Sequence, residues 1–385
     1  MDSSVNSLKN SSEYDNFSNV SKNKITRRNF LSLLGLGISA LASSSLLSQN
    51  IEEGISKVYN FDISNTDFSR NYLPNHHLIT PNNLKSGDTV AFVAPASPVS
   101  MGQIAKYVSF FKSKSCNTLI CDSIKKQNNN HRYLSNSDEV RAAELNDLFR
   151  NPDVKAIICG RGGYGIMRIL TMLDYETLRN YPKIIMGYSD ITALLLSVYK
   201  HSNLVTYHGP VASSRLSDEH KKNLDQVLFT NEVINYHVPE MQVLSSGKMK
   251  GKLQGGNLTL ISSTLGTDYE IDLSDSILFV EDVSILAHEF DRMMHQLLMN
   301  EKFKTCKGIV FGKMKKLTKR GNFYPNKSFT ILEIMEQISK KVNIPIAYNL
   351  PFGHVESSLI FPIGSYAEVD TDKKNIKIFR TENIK

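Results

Sequence analysis

The chain has 385 residues, of which 41% are hydrophobic and 22% are charged, so it has enough apolar side chains for compact cores and is not a disordered protein. Its formal net charge is +7, but the basic residues are scattered from Lys9 to Lys385 and form no dense run. The charge therefore gives no reason to expect a nucleic-acid partner.

The first 48 residues are predicted to precede the folded protein. Residues 1–24 are rich in Ser and Asn and have few large apolar side chains, which is typical of disorder. The pair Arg27-Arg28 then leads into an apolar run over 31–47 with small residues around Ala40-Leu41-Ala42. This layout resembles a twin-arginine export signal. An amphipathic or buried helix is the alternative, but the many Gly and Ser residues of the run would make a poor core helix.

We therefore expect an exported protein that lies in the periplasm or the cell envelope. It would contact the membrane only through the signal segment, if that segment is not cleaved, because no other stretch is long and apolar enough to span a bilayer. Residues 49–83 show no clear period and are predicted to form a surface extension.

Residues 84–212 are predicted to form an α/β domain in which strands and helices alternate. Every predicted strand is a continuous apolar run, which is typical of a parallel sheet covered by helices on both faces. The predicted strands are 88–95, 118–121, 154–159 and 183–186, and the predicted helices are 103–112, 138–149, 165–173 and 191–199.

Residues 213–248 have a looser pattern and are predicted to be a linker. The remaining segment, 249–385, is predicted to be a smaller, strand-rich mixed domain, because short strand-like runs outnumber the helices. Its predicted strands are 251–253, 277–281, 308–312, 344–347, 366–370 and 375–379, and its predicted helices are 290–298 and 331–342.

Ser189 is the first candidate for chemistry, since Gly187-Tyr188-Ser189-Asp190 joins a predicted buried strand to a helix. A serine on a tight turn of this kind projects its hydroxyl into the crevice at the carboxyl edge of the sheet, where a nucleophile is useful. The N–H of Asp190 would then donate to the oxyanion of a tetrahedral intermediate. The alternative is that Ser189 or Asp190 caps the helix, and the tetrapeptide alone does not decide between them.

The glycine-rich loop Gly160-Arg161-Gly162-Gly163-Tyr164-Gly165 follows another predicted strand. Its exposed N–H groups could form an anion cradle or a second wall of an oxyanion hole. The spacing is neither a dinucleotide fingerprint nor a phosphate-binding loop. Arg161 either binds a substrate carboxylate through its planar guanidinium group or forms a structural ion pair.

A serine nucleophile needs a base, and the base needs an acid to orient it. His354 is the best candidate base because Pro and Gly frame its turn, although His208 also lies in a loop-like segment. Glu281 ends an apolar strand, where a carboxylate is costly unless it has a partner. Asp282 follows at once and would point to the opposite face, so only one of the two carboxylates can face the site.

No catalytic metal is predicted. The four cysteines include no C-x-x-C pair, and no H-E-x-x-H motif or histidine–cysteine cluster with metal-ligand spacing is present. The cysteines are therefore expected to be structural thiols.

Taken together, the motifs resemble the serine LD-carboxypeptidases, a family that also includes the microcin-immunity peptidases. The resemblance runs in order from about Leu84 to Val369. The matching blocks are Gly87-Asp88 with Ala94-Pro95-Ala96-Ser97, Arg161-Gly-Gly-Tyr-Gly165, Gly187-Tyr-Ser-Asp-Ile-Thr192, Tyr207-His-Gly-Pro210, Gly255-Gly-Asn-Leu258 with Leu265-Gly-Thr267, Phe279-Val-Glu-Asp282, Asp291-Arg292, and Pro351-Phe-Gly-His354 with Pro362-Ile-Gly364.

The resemblance implies a Ser-His-Glu triad of Ser189, His354 and Glu281. It also implies an oxyanion hole made by the N–H of Asp190 and that of Gly162 or Gly163. The implied fold is a flavodoxin-like parallel-sheet domain followed by a smaller, strand-rich domain, in a homodimer that needs no cofactor.

The implied reaction releases terminal D-alanine from an L,D-peptide bond in murein tetrapeptides. The alternatives are an immunity-type peptidase that cleaves aminoacyl-nucleotide antibiotics, and a murein-binding protein without activity. Immunity peptidases are thought to stack an aromatic side chain on the nucleobase, and this chain has no tryptophan.

Overall fold

The computed structural model describes residues 78–126, 133–314 and 329–380. The predicted export signal and most of the predicted extension therefore lie outside the described residues. Within the described ranges, none of the helices has the length and apolar character required to cross a membrane.

The described strands form two sheets. In chain order they are β1 (Thr89–Val93), β2 (Asn117–Ile120), β3 (Val154–Cys159), β4 (Ile184–Gly187), β5 (Thr206–His208), β6 (Ile234–His237), β7 (Gln242–Ser245), β8 (Lys248–Asn257), β9 (Ser276–Glu281), β10 (Gly308–Gly312), β11 (Ile346–Leu350), β12 (Phe361–Ile363), β13 (Tyr366–Asp370) and β14 (Asn375–Ile378).

Helices lie between these strands. They are α1 (Met101–Ser113), α2 (Asp122–Lys125), α3 (Asp138–Arg150), α4 (Tyr175–Asn180), α5 (Ile191–Ser202), α6 (Asp218–Phe229), α7 (Leu258–Thr264), α8 (Ala287–Leu298) and α9 (Ile331–Lys341), with short 3-10 helices at Ile166–Arg168, Leu170–Met172 and Glu301–Thr305.

The first sheet has the order β12-β5-β4-β3-β1-β2, and the five strands from β5 to β2 are parallel. This is the flavodoxin-like strand order, so the predicted parallel α/β domain is confirmed. Its strands are buried along nearly their whole length, apart from the edge strand β2, because helices cover both faces. In such sheets a ligand crevice lies outside the carboxyl ends of the strands, and β3, β4 and β5 all end at that edge.

The second sheet has the order β6-β14-β13-β8-β9-β10-β11-β7. Its central strands β8 to β11 are parallel, whereas β6, β14 and β13 on one side and β7 on the other are antiparallel. The predicted strand-rich mixed domain is therefore confirmed. Glu281 is the last residue of the central strand β9, which carries its side chain to the carboxyl end of the parallel strands.

The segment 213–248, predicted to be a linker, contains α6, β6 and β7, and both strands join the edges of the second sheet. In β6 the burial alternates over only four residues, which is too short a pattern to stand out in the sequence. The predicted helix over 165–173 is instead two short 3-10 helices. One late strand, β12, pairs with β5 of the first sheet.

Helix α6 holds the loop that carries His354. The buried imidazole of His220 accepts a hydrogen bond at Nε2 from the N–H of Ser358 (2.7 Å), so Nδ1 carries the proton and donates to the carbonyl of Arg215 (2.7 Å). The Ser358 hydroxyl then accepts from the N–H of Gly353 (3.0 Å). A neutral imidazole therefore braces the residue that precedes His354.

This brace predicts a pH-dependent stability. Burial lowers the pKa of His220, so below about pH 6.5 the unfolded chain takes up a proton that the folded protein does not, and the free energy of unfolding falls as the pH falls. The slope is at most about 1.4 kcal/mol per pH unit for this group. Urea unfolding at several pH values would measure this dependence. We expect the free energy of unfolding to fall less steeply with falling pH in His220→Gln than in the wild-type protein. Equal slopes for the two proteins would contradict this, since His201, whose pKa is also lowered by burial, is common to both.

Candidate active site

Ser189 occupies a left-handed turn between β4 and α5, with φ at 63°. A residue other than glycine seldom adopts this conformation, and such strain is typical of functional turns. The helix begins immediately afterwards, where the N–H of Thr192 donates to the carbonyl of Ser189 (2.9 Å). Neither Ser189 nor Asp190 caps α5 with its side chain, and the Ser189 hydroxyl forms no hydrogen bond with any residue the structure describes.

Asp190 connects this turn to the glycine-rich loop. Its buried Oδ2 accepts a hydrogen bond from the N–H of Ile166 (2.9 Å). Burial raises the pKa of Asp190, and this hydrogen bond partly offsets the effect. The side chain therefore positions the loop, which leaves the backbone N–H as the part of Asp190 that is available to an oxyanion.

The glycine-rich loop packs directly over the turn. A Cβ placed on Gly162 would lie 2.7 Å from Ser189 Cβ and 3.0 Å from its Oγ, so a side chain has no space there. Gly163 has φ at +101°, and a Cβ on it would collide with the Ser97 side chain. Among the described residues, the N–H groups of Gly162, Gly163 and Asp190 have no acceptor. Three donors next to a serine hydroxyl suit the binding of a developing oxyanion.

Replacing Gly162 by alanine is expected to lower kcat by about 100-fold, because the new methyl group would displace Ser189 by a few tenths of an ångström or more. Steady-state kinetics on the substrate proposed below would measure the loss. Gly102→Ala is the control, since nothing lies within 4 Å of a Cβ there. Equal kcat values for the two variants would show that the close approach of Gly162 does not matter.

Glu281 and His354 form a direct contact. Glu281 is fully buried, and its Oε2 lies 2.7 Å from Nδ1 of His354, a side chain that is 18% exposed. Because a carboxylate only accepts hydrogen bonds, Nδ1 carries the proton and Nε2 keeps its lone pair. Gly353 makes the contact possible, since it has φ at +84° and any Cβ there would collide with the Glu281 carboxylate.

Burial alone would raise the pKa of Glu281, but the imidazoles of His208 and His354 outweigh this effect and lower it below its ordinary value. The second carboxylate oxygen, Oε1, lies 3.4 Å from Nδ2 of Asn257 and 3.9 Å from Nε2 of His208. The latter distance is too long for a hydrogen bond, so we regard it as an electrostatic contact. Glu281 is therefore an anion at neutral pH.

The ring of Tyr188 joins the serine turn to the histidine. It lies edge-on to the His354 ring, with 4.6 Å between the ring centroids. Ser189 is the next residue along the chain, so the structure brings the serine turn, His354 and Glu281 into one region. The predicted base and acid are in contact, while the serine and histidine are not hydrogen bonded in this structure.

Asp282 faces away from His354, as its place in the strand predicted. Its Oδ2 accepts from the N–H and the hydroxyl of Thr259, at 2.9 and 2.8 Å, at the start of α7. Burial raises the pKa of Asp282. The two adjacent carboxylates therefore have different surroundings, and only Glu281 faces the histidine.

Arg161 is exposed beside the glycine-rich loop and forms no ion pair with a described residue. A groove of about 840 Å³ lies next to His354, between α6, β6 and the loop 351–359. Both Lys222 and Lys313 line this groove, as do Glu219, Glu240 and Glu356. The groove therefore offers charged side chains of both signs beside His354.

Sequence reasoning did not assign a role to Asn257 or His208. Asn257 caps α7 through its Oδ1 and also approaches Glu281, and it lies in the block Gly255-Gly-Asn-Leu258. His208 lies in Tyr207-His-Gly-Pro210. Both blocks contributed to the resemblance, which was the available signal.

Comparison with known proteins matches both parts of the chain to one family. Residues 90–209 match the LD-carboxypeptidase N-terminal domain, and residues 250–369 match the LD-carboxypeptidase C-terminal domain. A Bacillus subtilis protein named "Probable murein peptide carboxypeptidase" is 34% identical over 320 residues, which cover 81% of this chain and 95% of the relative.

Two solved structures are similar over most of the chain. The structure of an MccF-like protein from Bacillus anthracis superposes with a TM-score of 0.70 and 30% identity, covering 78% of this chain and 99% of that protein. The structure of a muramoyltetrapeptide carboxypeptidase from Oxalobacter formigenes superposes with a TM-score of 0.66 and 25% identity. The match covers 76% of this chain and 99% of that protein.

Proposed function

This chain belongs to the LD-carboxypeptidase family, and from that membership we propose that it releases the terminal D-alanine of murein tetrapeptides through Ser189, His354 and Glu281. The observation that carries the proposal is the 2.7 Å contact between a buried carboxylate and a histidine beside a strained serine turn. The three residue types and their surroundings are those of a serine hydrolase triad.

In the first half of the reaction, Nε2 of His354 takes the proton of the Ser189 hydroxyl as Oγ attacks the carbonyl carbon of the bond before D-alanine. Glu281 keeps the proton of His354 on Nδ1 and stabilises the imidazolium. The N–H of Asp190, with that of Gly162 or Gly163, donates to the oxyanion. His354 then returns its proton to the leaving amine, so D-alanine departs and an acyl-enzyme remains.

In the second half, a water molecule attacks the acyl carbonyl while Nε2 of His354 removes one of its protons. The bond to Ser189 Oγ breaks, the histidine gives the proton back to the serine, and the shortened peptide leaves. The same imidazole serves as base and acid in turn in both halves of the reaction.

The substrate class follows from what a carboxypeptidase must recognise, which is a free terminal carboxylate. Arg161 is exposed at the glycine-rich loop, forms no ion pair with a described residue, and is our candidate for this contact. The groove beside His354, with Lys222 and Lys313, would hold the rest of the stem peptide, which carries further carboxylates. Relatives named for murein peptides support the same substrate.

We also propose that the protein is exported, because residues 26–47 resemble a twin-arginine signal. An exported enzyme would meet murein outside the cytoplasm. A homodimer, with membrane contact limited to an uncleaved signal, belongs to the same proposal. Cell fractionation, with and without substitution of Arg27 and Arg28 by lysine, would test the export route.

An immunity-type activity is the second candidate, because the similar Bacillus anthracis structure is described as MccF-like. That branch of the family hydrolyses aminoacyl nucleotides, which have no terminal D-alanine. The absence of tryptophan from this chain argues against a stacked nucleobase. A murein-binding protein without activity is the third candidate, and the presence of all three triad residues argues against it.

Product analysis separates these candidates. The purified protein is incubated with murein tri-, tetra- and pentapeptides and with an aminoacyl nucleotide, and released D-alanine and nucleotide are measured. We expect D-alanine from the tetrapeptide and none from the tripeptide. Cleavage of the nucleotide alone would favour immunity, and binding of the tetrapeptide without release would favour a binding protein. Ser189→Ala controls for contaminating peptidases.

A further inference from the structure

We propose that His208 is a positioning residue that holds the Glu281 carboxylate from the side opposite His354. His208 ends β5, at the same sheet edge as the serine turn. Its role rests on the proposed function of the site, since it acts through Glu281 and touches no reacting atom. The observation behind it is a fully buried histidine that has no hydrogen bond to a described residue and that faces the buried acid.

The surroundings of His208 are otherwise apolar. Its side chain is 0% exposed, and neither ring nitrogen has a hydrogen-bond partner among the described residues. The ring lies 5.3 Å from that of Phe279, 6.2 Å from that of Phe352 and 6.4 Å from that of Tyr188, centroid to centroid. Phe361 is its cross-strand partner on β12.

Packing alone does not explain a histidine at this position. A buried polar atom without a partner costs free energy, whereas an apolar ring among these aromatic neighbours would cost none. Residues that reduce stability in this way persist mainly where they serve function. The nearby charged group that His208 faces is Glu281, whose Oε1 lies 3.9 Å from Nε2.

Glu281 therefore lies between two imidazoles, with Oε2 on His354 and Oε1 toward His208. Asn257 adds a long hydrogen bond of 3.4 Å to Oε1. An N–H on Nε2 of His208 would stabilise the negative charge and fix the plane of the carboxylate. The carboxylate plane in turn sets the direction in which His354 presents Nε2 to the serine.

Loss of the contact between His208 and Glu281 should change how strongly the Glu281 carboxylate attracts a proton. Without His208, the carboxylate is less stabilised, so it holds the proton of the His354 imidazolium more tightly. The other titratable groups near the carboxylate are Tyr188 and Asp282, and both are unchanged by substitution of His208. The acid limb of the pH dependence of kcat/KM should therefore move to higher pH.

The test compares His208→Phe, which removes both nitrogens, with His208→Gln, whose amide N–H can occupy the place of Nε2. For His208→Phe we expect a kcat about 10-fold to 100-fold lower and an acid limb shifted to higher pH. His208→Gln should restore most of the activity and the wild-type pH profile. A histidine with only a packing role would give a lower melting temperature with unchanged kcat.

A second readout does not depend on the substrate. The Nδ1–H proton of His354, bound to Glu281, is followed by proton NMR in histidine-labelled protein, with His354→Gln for assignment. We expect this resonance to move in His208→Phe and to keep its wild-type position in His208→Gln. An unchanged resonance in both variants would overturn the role of His208, even if murein peptides prove not to be the substrate. If His208→Phe does not fold, His208→Leu takes its place in both measurements.

Discussion

Replacing Ser189 by alanine is expected to lower kcat for tetrapeptide hydrolysis by roughly four to six orders of magnitude, with little change in melting temperature. The hydroxyl is the proposed nucleophile, and in the structure it makes no hydrogen bond with a described residue, so its removal breaks no such contact. Steady-state kinetics and thermal unfolding of the same preparation would measure both quantities.

Ser189→Gly is the matched variant. Alanine retains the strain of φ at 63°, whereas glycine adopts this conformation freely, so the glycine variant should be equally inactive but more stable by up to about 1 kcal/mol. A serine that served only the fold would give the reverse pattern, with activity kept in at least one variant. Wild-type kcat in either variant would contradict the assignment.

Replacing Glu281 by glutamine is expected to lower kcat by about 10⁴-fold. The amide has nearly the same shape but no charge, so it cannot stabilise the His354 imidazolium, and its NH2 can donate to Nδ1 and so favour the wrong tautomer. The low pKa of Glu281 means that the ionised form is the one lost across the whole neutral range. Kinetics over a range of pH would show the loss at every pH.

Asp282→Asn is the control, since it makes the same chemical change at the next residue. Asp282 contacts Thr259 and not His354, so the variant should lose stability while its kcat changes by less than about 10-fold. If Asp282→Asn were the more damaging to kcat, or if Glu281→Gln kept wild-type activity, the acid would have been assigned wrongly.

Much of the first domain could be predicted from the sequence because its strands are continuous apolar runs. Strands β3 and β10 were predicted with their observed ends, since Val154–Cys159 and Gly308–Gly312 are buried along nearly their whole length. The strands in the segment 213–248 were not predicted. Both β6 and β7 have only four residues and derive their stability from pairing with distant strands. The same holds for β12, whose partner β5 lies far away in the chain.

In the candidate site, too, local features could be predicted from the sequence and contacts between distant residues could not. The turn at Ser189 was visible locally, as a serine between a buried strand and a helix. The contact between Glu281 and His354 joins residues that are 73 positions apart, so only the family resemblance could have paired them. The roles of Asn257 and His220 depend on burial and on hydrogen bonds across elements. The block Gly255-Gly-Asn-Leu258 marked Asn257 only through the family resemblance, and nothing in the local sequence signals His220.

The most direct test of the central claim is covalent labelling by a stem-peptide analogue in which a diphenyl phosphonate ester replaces both the scissile carbonyl and the D-alanine that follows it. Only a serine activated by its histidine should displace a phenol and form the phosphonate ester. Mass spectrometry of the tryptic fragment 184–200 is predicted to place the label on Ser189, in proportion to the loss of activity. Inactivation with the label on another residue, or full labelling of Ser189 with activity retained, would contradict the account.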